Sequence, residues 1–240
     1  MTVQNELQSH PSSRLPRIVE SSGPQQHPWV AVDIVIFAIE DEALKTLLVK
    51  IKNEPLAGSW AFPGGLVAVG ESLEDAAMRE LREKTPVRDV YLEQLFTFGD
   101  PDRNPTAHVV STAYWALLPR PTPLPLHGSK YSASAWWDMS RLPPLAYNHR
   151  RVAQVAIERL QSKIDYTNVV YSLLPEEFTL GDLQRIYEII RGRPLDRRNF
   201  RKKILAARLL RSLRKVRYGP HRPASLYAFR DRKLKQIELF

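Results

Sequence analysis

Apolar positions fall into two kinds of run along this chain. Val30 to Glu40 (VAVDIVIFAIE) and Leu44 to Ile51 (LKTLLVKI) are rich in β-branched and apolar residues and are separated only by an acidic turn at Glu40–Glu42, which predicts two neighbouring strands. A loop broken by Pro63-Gly64-Gly65 follows, and then Ser72 and Asp75 form a capping-box pattern that predicts a helix to about Lys84, ended by Pro86. Leu92–Phe98 and Val109–Leu118 read as further strands, and the proline-rich stretch from Pro119 to Pro125 reads as an extended loop. Val152, Val155, Ala156 and Leu160 share one face of a helix expected from about His149 to Lys163. This order of β, β, helix, β, β, helix predicts an α/β/α layered domain that ends near Lys163.

Beyond it the pattern is mostly helical. Val169–Leu174 has a helical character, and Leu183, Ile186, Tyr187 and Ile190 form the stripe of a helix over about Leu180–Ile190, stopped by Gly192 and Pro194. A further helix is expected from Arg197 to about Leu210 with Asp196 as its N-cap. Two β-like runs, Leu213–Tyr218 and Ser225–Phe229, bracket Gly219–Pro223 as a hairpin tip. Helix, turn, helix and hairpin make a winged helix-turn-helix. Residues 1–28 are rich in Ser, Pro and Gln without periodicity, and are expected to be a disordered leader.

The charge of the chain sharpens this division. Its 240 residues suit two modest domains, and 43% hydrophobic with 25% charged residues is enough apolar material for ordinary cores. Residues 181–240 carry 18 Lys+Arg against 5 Asp+Glu, a net +13, while residues 1–180 carry −4. Positive charge so concentrated repels itself unless it meets a polyanion, which makes nucleic acid the leading partner for this end; a solvated basic surface is the plainer alternative. The absence of cysteine excludes a disulfide scaffold, a thiolate zinc site and a cysteine nucleophile, and fits a reducing, cytoplasmic setting. No apolar run reaches the ~18 residues that span a bilayer, so no membrane role is expected.

The segment Gly65–Val87 (GLVAVGESLEDAAMRELREKTPV) holds candidate chemistry. Gly65, Glu71, Arg79, Glu80, Leu81, Glu83 and Val87 fall in register with the Nudix box, which it resembles, with Trp60-Ala61-Phe62-Pro63-Gly64 as a similar lead-in. Two positions depart: Lys84 stands where the box has its last glutamate, and Pro86 where it has glycine. Residues 80, 83 and 84 neighbour one another on a helix, so three carboxylates there would make an oxygen-rich patch for Mg²⁺. Replacing one by an ammonium shifts the charge beside the intended cation by two units, each worth ~4 kcal/mol at ~4 Å and an effective dielectric of ~20. A lysine can instead contact a phosphate directly, keeping diphosphate recognition without metal-activated water. Gly65, Glu71, Arg79, Glu80, Glu83 and Lys84 are thus candidate ligand-binding residues, with no catalytic residue and no metal ligand assigned. The same charges also suit a solvated, salt-bridged helix face, and Glu71, Glu80 and Glu83 could still hold residual Mg²⁺, so hydrolysis stays open.

In the expected helix from Arg197, Phe200, Ile204 and Ala207 fall on one face, while Arg197, Arg201 and Arg208 form a neighbouring cationic stripe with Arg198 and Lys202 beyond it. Such a helix presents Arg to guanine edges and Asn199 to adenine in the major groove, with most cations on phosphates. Arg197, Arg198, Asn199, Arg201 and Lys202, with His221 and Arg222 at the hairpin tip, are the candidate DNA-binding residues. Few aromatics accompany them, which weighs against single-stranded RNA as the target.

Together, the broken box, Phe178-Thr179-Leu180, Arg198-Asn199-Phe200-Arg201, His221-Arg222-Pro223-Ala224 and Leu145-Ala146-Tyr147-Asn148-His149 resemble the Nudix-related transcriptional regulators of bacterial NAD metabolism, the NrtR family. Asn148 stands where that family usually has aspartate. The resemblance implies an α/β (α+β) fold, a Nudix-like α/β/α sandwich with a mixed sheet over 29–163 and a winged helix-turn-helix over 164–240. It further implies a cytoplasmic, homodimeric repressor of NAD synthesis or salvage genes that binds a palindromic operator of double-stranded DNA. ADP-ribose or a related nucleotide would be its effector, releasing the DNA, with no cofactor required. An active ADP-ribose pyrophosphatase with an accessory nucleic-acid-binding domain is the alternative.

Overall fold

In a computed structural model of the chain, which describes residues 27–84, 90–122, 130–218 and 223–237, two strands run buried on both faces. They are β1 (Trp29–Glu40) and β6 (Val109–Leu117), and they pair in parallel, which explains their nearly unbroken apolar runs. The other strands are β2 (Ala43–Ile51), β3 (Trp60–Ala61), β4 (Gly64–Leu66), β5 (Tyr91–Phe98) and β7 (Tyr131–Asp138). They complete a seven-stranded mixed sheet in the order β3-β2-β1-β6-β5, with β4 added on β1 and β7 on β2. Even-numbered residues of β1 (Val32, Ile34, Ile36) meet helix α1 (Leu73–Lys84) through Ala76, Ala77 and Leu81. Odd-numbered Val35 and Phe37 face helix α2 (His149–Tyr166) through a core that includes Val152, Ala156 and Leu160. One helix on each face gives the expected α/β/α sandwich.

Ser72 caps α1 as its spacing predicts: its hydroxyl accepts the Asp75 N–H at 3.1 Å and donates to the Asp75 carboxylate at 2.8 Å. Helix α2 runs past Lys163 to Tyr166, and its last apolar residue, Ile164, shares one core with the C-terminal elements. A short 3₁₀ turn (Val169–Leu173) leads to β8 (Phe178–Thr179) and α3 (Leu180–Arg191). Thr179 and Asp182 form a full capping box on α3, and Gly192, at φ 67°, closes the helix in the left-handed conformation that suits glycine. Helix α4 (Arg197–Ala206), β9 (Leu210–Arg217) and β10 (Ala224–Phe229) follow, and β8-β10-β9 form a small antiparallel sheet. This is the expected winged helix.

The structure departs from the sequence reading at several boundaries. Helix α4 ends at Ala206 rather than near Leu210, because Arg208 turns left-handed (φ 53°) and Leu210 pairs with Phe229 at the start of β9. Arg208 therefore leaves the stripe of Arg197 and Arg201, and Leu209 is buried. Strands β3, β4, β7 and β8 were not expected: three are two or three residues long, and β7 is half-buried without a clean alternation. Most of the leader, Pro86, Val87, the Lys84 side chain, and His221 and Arg222 at the hairpin tip lie outside the described residues.

Candidate functional site

Pro63-Gly64-Gly65 carries the chain from β3 into β4, and β4 passes so close to α1 that a side chain at position 65 has no room. A Cβ on Gly65 would lie 2.0 Å from Glu80 Oε1. Glu80 is 3% exposed and sits between two cations, accepting from Arg79 Nη1 at 2.9 Å with Lys130 Nζ at 3.5 Å. Arg79 clamps the β4–α1 loop: Nε and Nη2 donate to the two oxygens of Glu71 at 2.8 and 2.9 Å, and Nη2 also donates to Leu66 O at 3.1 Å. The Ala68 N–H completes the Glu71 shell at 2.9 Å. Held by Arg79 first and the Ala68 N–H second, the Glu71 carboxyl drops to about 2.

This donor set does not fit a divalent cation. Glu71 is taken up by a guanidinium and a backbone N–H, Glu80 lies between Arg79 and Lys130, and the sequence supplies lysine at position 84. Among the described residues no three carboxylate or imidazole side chains are grouped to hold a metal.

A cavity of about 520 Å³ opens beside this loop, walled by Gly64, Gly65 and Leu66 on one side and by Tyr131 and Tyr147 on another. Two cations look into it: Lys130, just before β7, and Arg103, from the loop between β5 and β6. Arg103 is 6% exposed and donates through Nη2 to Asp33 Oδ2 at 2.9 Å. Asp33 is the lone carboxylate in the apolar run of β1 and points to the α2 face. There Ser111 Oγ donates to it at 2.6 Å and His149 Nε2 stands 3.3 Å away. Burial alone would raise the Asp33 pKa, but His149, Arg103 and Ser111 outweigh it and hold the carboxyl well below its usual range. His149 lies behind the cavity at 1% exposure; its Nδ1 accepts the Phe62 N–H at 2.9 Å, which puts the ring proton on Nε2.

Of the ligand candidates read from the sequence, Gly65 lines the cavity, and Glu71, Arg79 and Glu80 adjoin it by shaping its wall. Glu83 is exposed on α1. Trp60, from the lead-in to the box, packs edge-on against Trp137 with centroids 5.5 Å apart, while Phe62 lines the cavity but lies against the His149 ring at 5.3 Å. Arg103, Asp33, Lys130 and Tyr131 were not singled out, and Tyr147 entered only within the family segment Leu145–His149. The one sequence signal for them was a carboxylate inside a run of buried apolar residues.

The second candidate site is the face of α4. Asp196 caps it as expected, accepting the Asn199 N–H at 2.7 Å. Phe200 and Ile204 are buried, and Phe200 meets Tyr187 of α3 edge-on at 5.4 Å. Arg197, Arg198, Asn199, Arg201 and Lys202 are all exposed, and none of the four cations is held in an ion pair among the described residues. Three cations elsewhere in this half are paired: Arg217 with Asp182 at 2.8 Å, Lys215 with Glu177 at 2.6 Å, and Arg185 with Glu42 at 2.5 Å.

Comparison with known proteins agrees with this arrangement. Residues 27–156 match the NUDIX domain model and residues 170–229 the NrtR DNA-binding winged helix domain model. The chain is 34% identical over 205 residues to the ADPR responsive transcriptional repressor NtrR of Acinetobacter baylyi, covering 84% of this chain and 82% of that protein. It superposes on Shewanella oneidensis NrtR, solved with a 27mer DNA, at a TM-score of 0.73 and 35% identity, over 84% of this chain and 93% of that one. The NUDIX domain of the same protein, solved with ADP ribose, matches at a TM-score of 0.53 and 34% identity, over 59% of this chain and 94% of that one. With a Nudix sandwich and an NrtR-type winged helix in one continuous chain, this protein belongs to the NrtR family of Nudix-related transcriptional regulators.

Proposed function

We propose that the chain is a repressor of NAD synthesis or salvage genes whose cavity binds ADP-ribose or a close nucleotide relative without hydrolysing it, and whose α4 enters the major groove of duplex DNA. The observation that carries the reading is the face of α4, with four exposed cations free of ion pairs above a capped and buried base. The cavity supports the effector half: two cations for a diphosphate and tyrosines for the sugar or base. The misfit of the box carboxylates to a divalent cation supports binding without turnover. Residues 29–163 are the sensing part and 164–240 the DNA-binding part. Two copies in a symmetric dimer would set their recognition helices ~34 Å apart, matching a palindromic operator.

The test starts from duplexes that the full chain selects from a random library at low salt, followed by fluorescence anisotropy with and without ADP-ribose. The expected result is enrichment of palindromic duplexes and their release by ADP-ribose. Failure to enrich any duplex would overturn the DNA reading. Rapid formation of AMP from ADP-ribose with Mg²⁺ or Mn²⁺ would favour the pyrophosphatase alternative.

A further inference from the structure

Residues 145–149 stand where the cavity wall becomes the first turn of α2. Ala146 N–H donates to Trp60 O at 2.9 Å, Tyr147 lines the cavity, and Asn148 Nδ2 donates to Asp100 Oδ2 at 3.2 Å. Tyr147 and Asn148 are consecutive left-handed residues, at φ 55° and 57°. A bulky tyrosine is strained in the left-handed region, so its surroundings must hold it there.

One contact is open on each side of Asp33. On the cavity side, Arg103 Nε is buried and has no hydrogen-bond partner among the described residues, although Nη2 binds Asp33. A buried guanidinium N–H beside a cavity calls for an acceptor from whatever fills it. On the α2 side, His149 Nε2 stands 3.3 Å from Asp33 Oδ2, a long contact with room to shorten. Helix α2 then runs 18 residues, about 27 Å, to the DNA-binding half. At that end Gln161 Nε2 donates to Ile190 O at 2.9 Å, Asp165 pairs with Arg191, and Leu160 and Ile164 share a core with Leu183 and Ile186. Helix α3 in turn holds α4 through Tyr187 on Phe200 and through Glu188, which accepts the Leu195 N–H at 2.9 Å.

Resting on the reading of this cavity as the nucleotide site, we propose that a ligand phosphate on Arg103 is reported to α4 through Asp33, His149 and α2. The phosphate takes up the open guanidinium N–H and loosens Arg103's hold on Asp33. Asp33 then closes on the His149 Nε2–H, and the first turn of α2 shifts toward the cavity with α3 and α4 behind it. His149 is a positioning residue: it does not line the cavity, and its effect is on coupling rather than on ligand contact.

His149→Asn tests this in the full chain. Asparagine can keep an acceptor for the Phe62 N–H but lacks the reach toward Asp33. ADP-ribose affinity is measured by calorimetry, and affinity for the selected duplex by anisotropy with and without ADP-ribose. The wild type should show duplex affinity changed about tenfold or more by the nucleotide. In the variant, each separate affinity should stay within about threefold of wild type while the coupling falls to about twofold or less. Undiminished coupling in the variant would overturn the relay. Wild type that binds no ADP-ribose would instead overturn the cavity reading beneath it. Hydrogen exchange of the wild type gives a second measurement should the variant misfold: bound ADP-ribose should change exchange at residues 149–153, and no change there overturns the relay.

Discussion

Removing the Arg103 guanidinium should expose how far the cavity floor depends on charge. Arg103 and Asp33 are 6% and 9% exposed and 2.9 Å apart, so Arg103→Met leaves a buried carboxylate with Ser111 and His149 alone. Breaking a buried pair by deleting one partner costs about 3–5 kcal/mol. For a chain of this size that corresponds to a melting temperature lowered by roughly 6–20 °C. The pH dependence fixes the cause. In the wild type the depressed Asp33 pKa contributes stability that is fully present above the unfolded carboxyl value of about 4, and is lost as the pH falls below it toward the folded value. In the variant, burial outweighs the remaining partners and the Asp33 pKa rises. The deficit should therefore be greatest at neutral pH and shrink toward pH 4, as the variant's folded carboxyl takes up a proton that the wild type's does not. Urea unfolding followed by tryptophan fluorescence from pH 7 to pH 4 measures this, and adding Asp33→Asn to the variant should restore part of the loss. A cost under about 1 kcal/mol at pH 7, or a deficit independent of pH, would refute the reasoning.

Gly65→Ala puts a methyl 2.0 Å from Glu80 Oε1 and 2.8 Å from its Cδ, so overpacking should cost about 1–3 kcal/mol in urea unfolding and weaken ADP-ribose binding; an unchanged midpoint would show the wall to be pliable. Asp196→Ala removes the cap on the Asn199 N–H, and should lower stability by about 1 kcal/mol and weaken duplex binding while calorimetry shows ADP-ribose affinity unchanged. Replacing Arg198 and Arg201 together by Ala should lower duplex affinity and flatten the slope of log K against log salt by about 2, measured by anisotropy; an unchanged slope excludes this face as the contact.

What the sequence made legible follows from how each element is stabilised. Strands β1 and β6 are buried on both sides, so their apolar runs stand out, and the caps at Ser72 and Asp196 are local patterns readable without tertiary knowledge. Strands β3, β4 and β8 are shorter than the pattern that would reveal them, and exist only through pairing with distant segments. Leu209 and Leu210 fit a helical period as well as a strand, and packing beside Phe229 decides for the strand. The cavity was hidden for the same reason: Asp33, Arg103, Tyr131 and Tyr147 come from four separated segments, and only the fold brings them together.

The box residues show how a motif shapes a cavity through the backbone it holds. Glu71 binds the Ala68 N–H and Arg79, Arg79 binds Leu66 O, and Glu80 fills the space that a Gly65 side chain would need. Each of these contacts fixes the backbone from β4 to α1, which is one wall of the cavity. A chain that has exchanged the last carboxylate of the box for Lys84 still has that wall, opposite cavity-lining cations, Arg103 and Lys130, that come from other segments. The spacing of Gly65, Glu71, Arg79 and Glu80 therefore serves the cavity wall, and their presence is compatible with a protein that binds a diphosphate and leaves it intact.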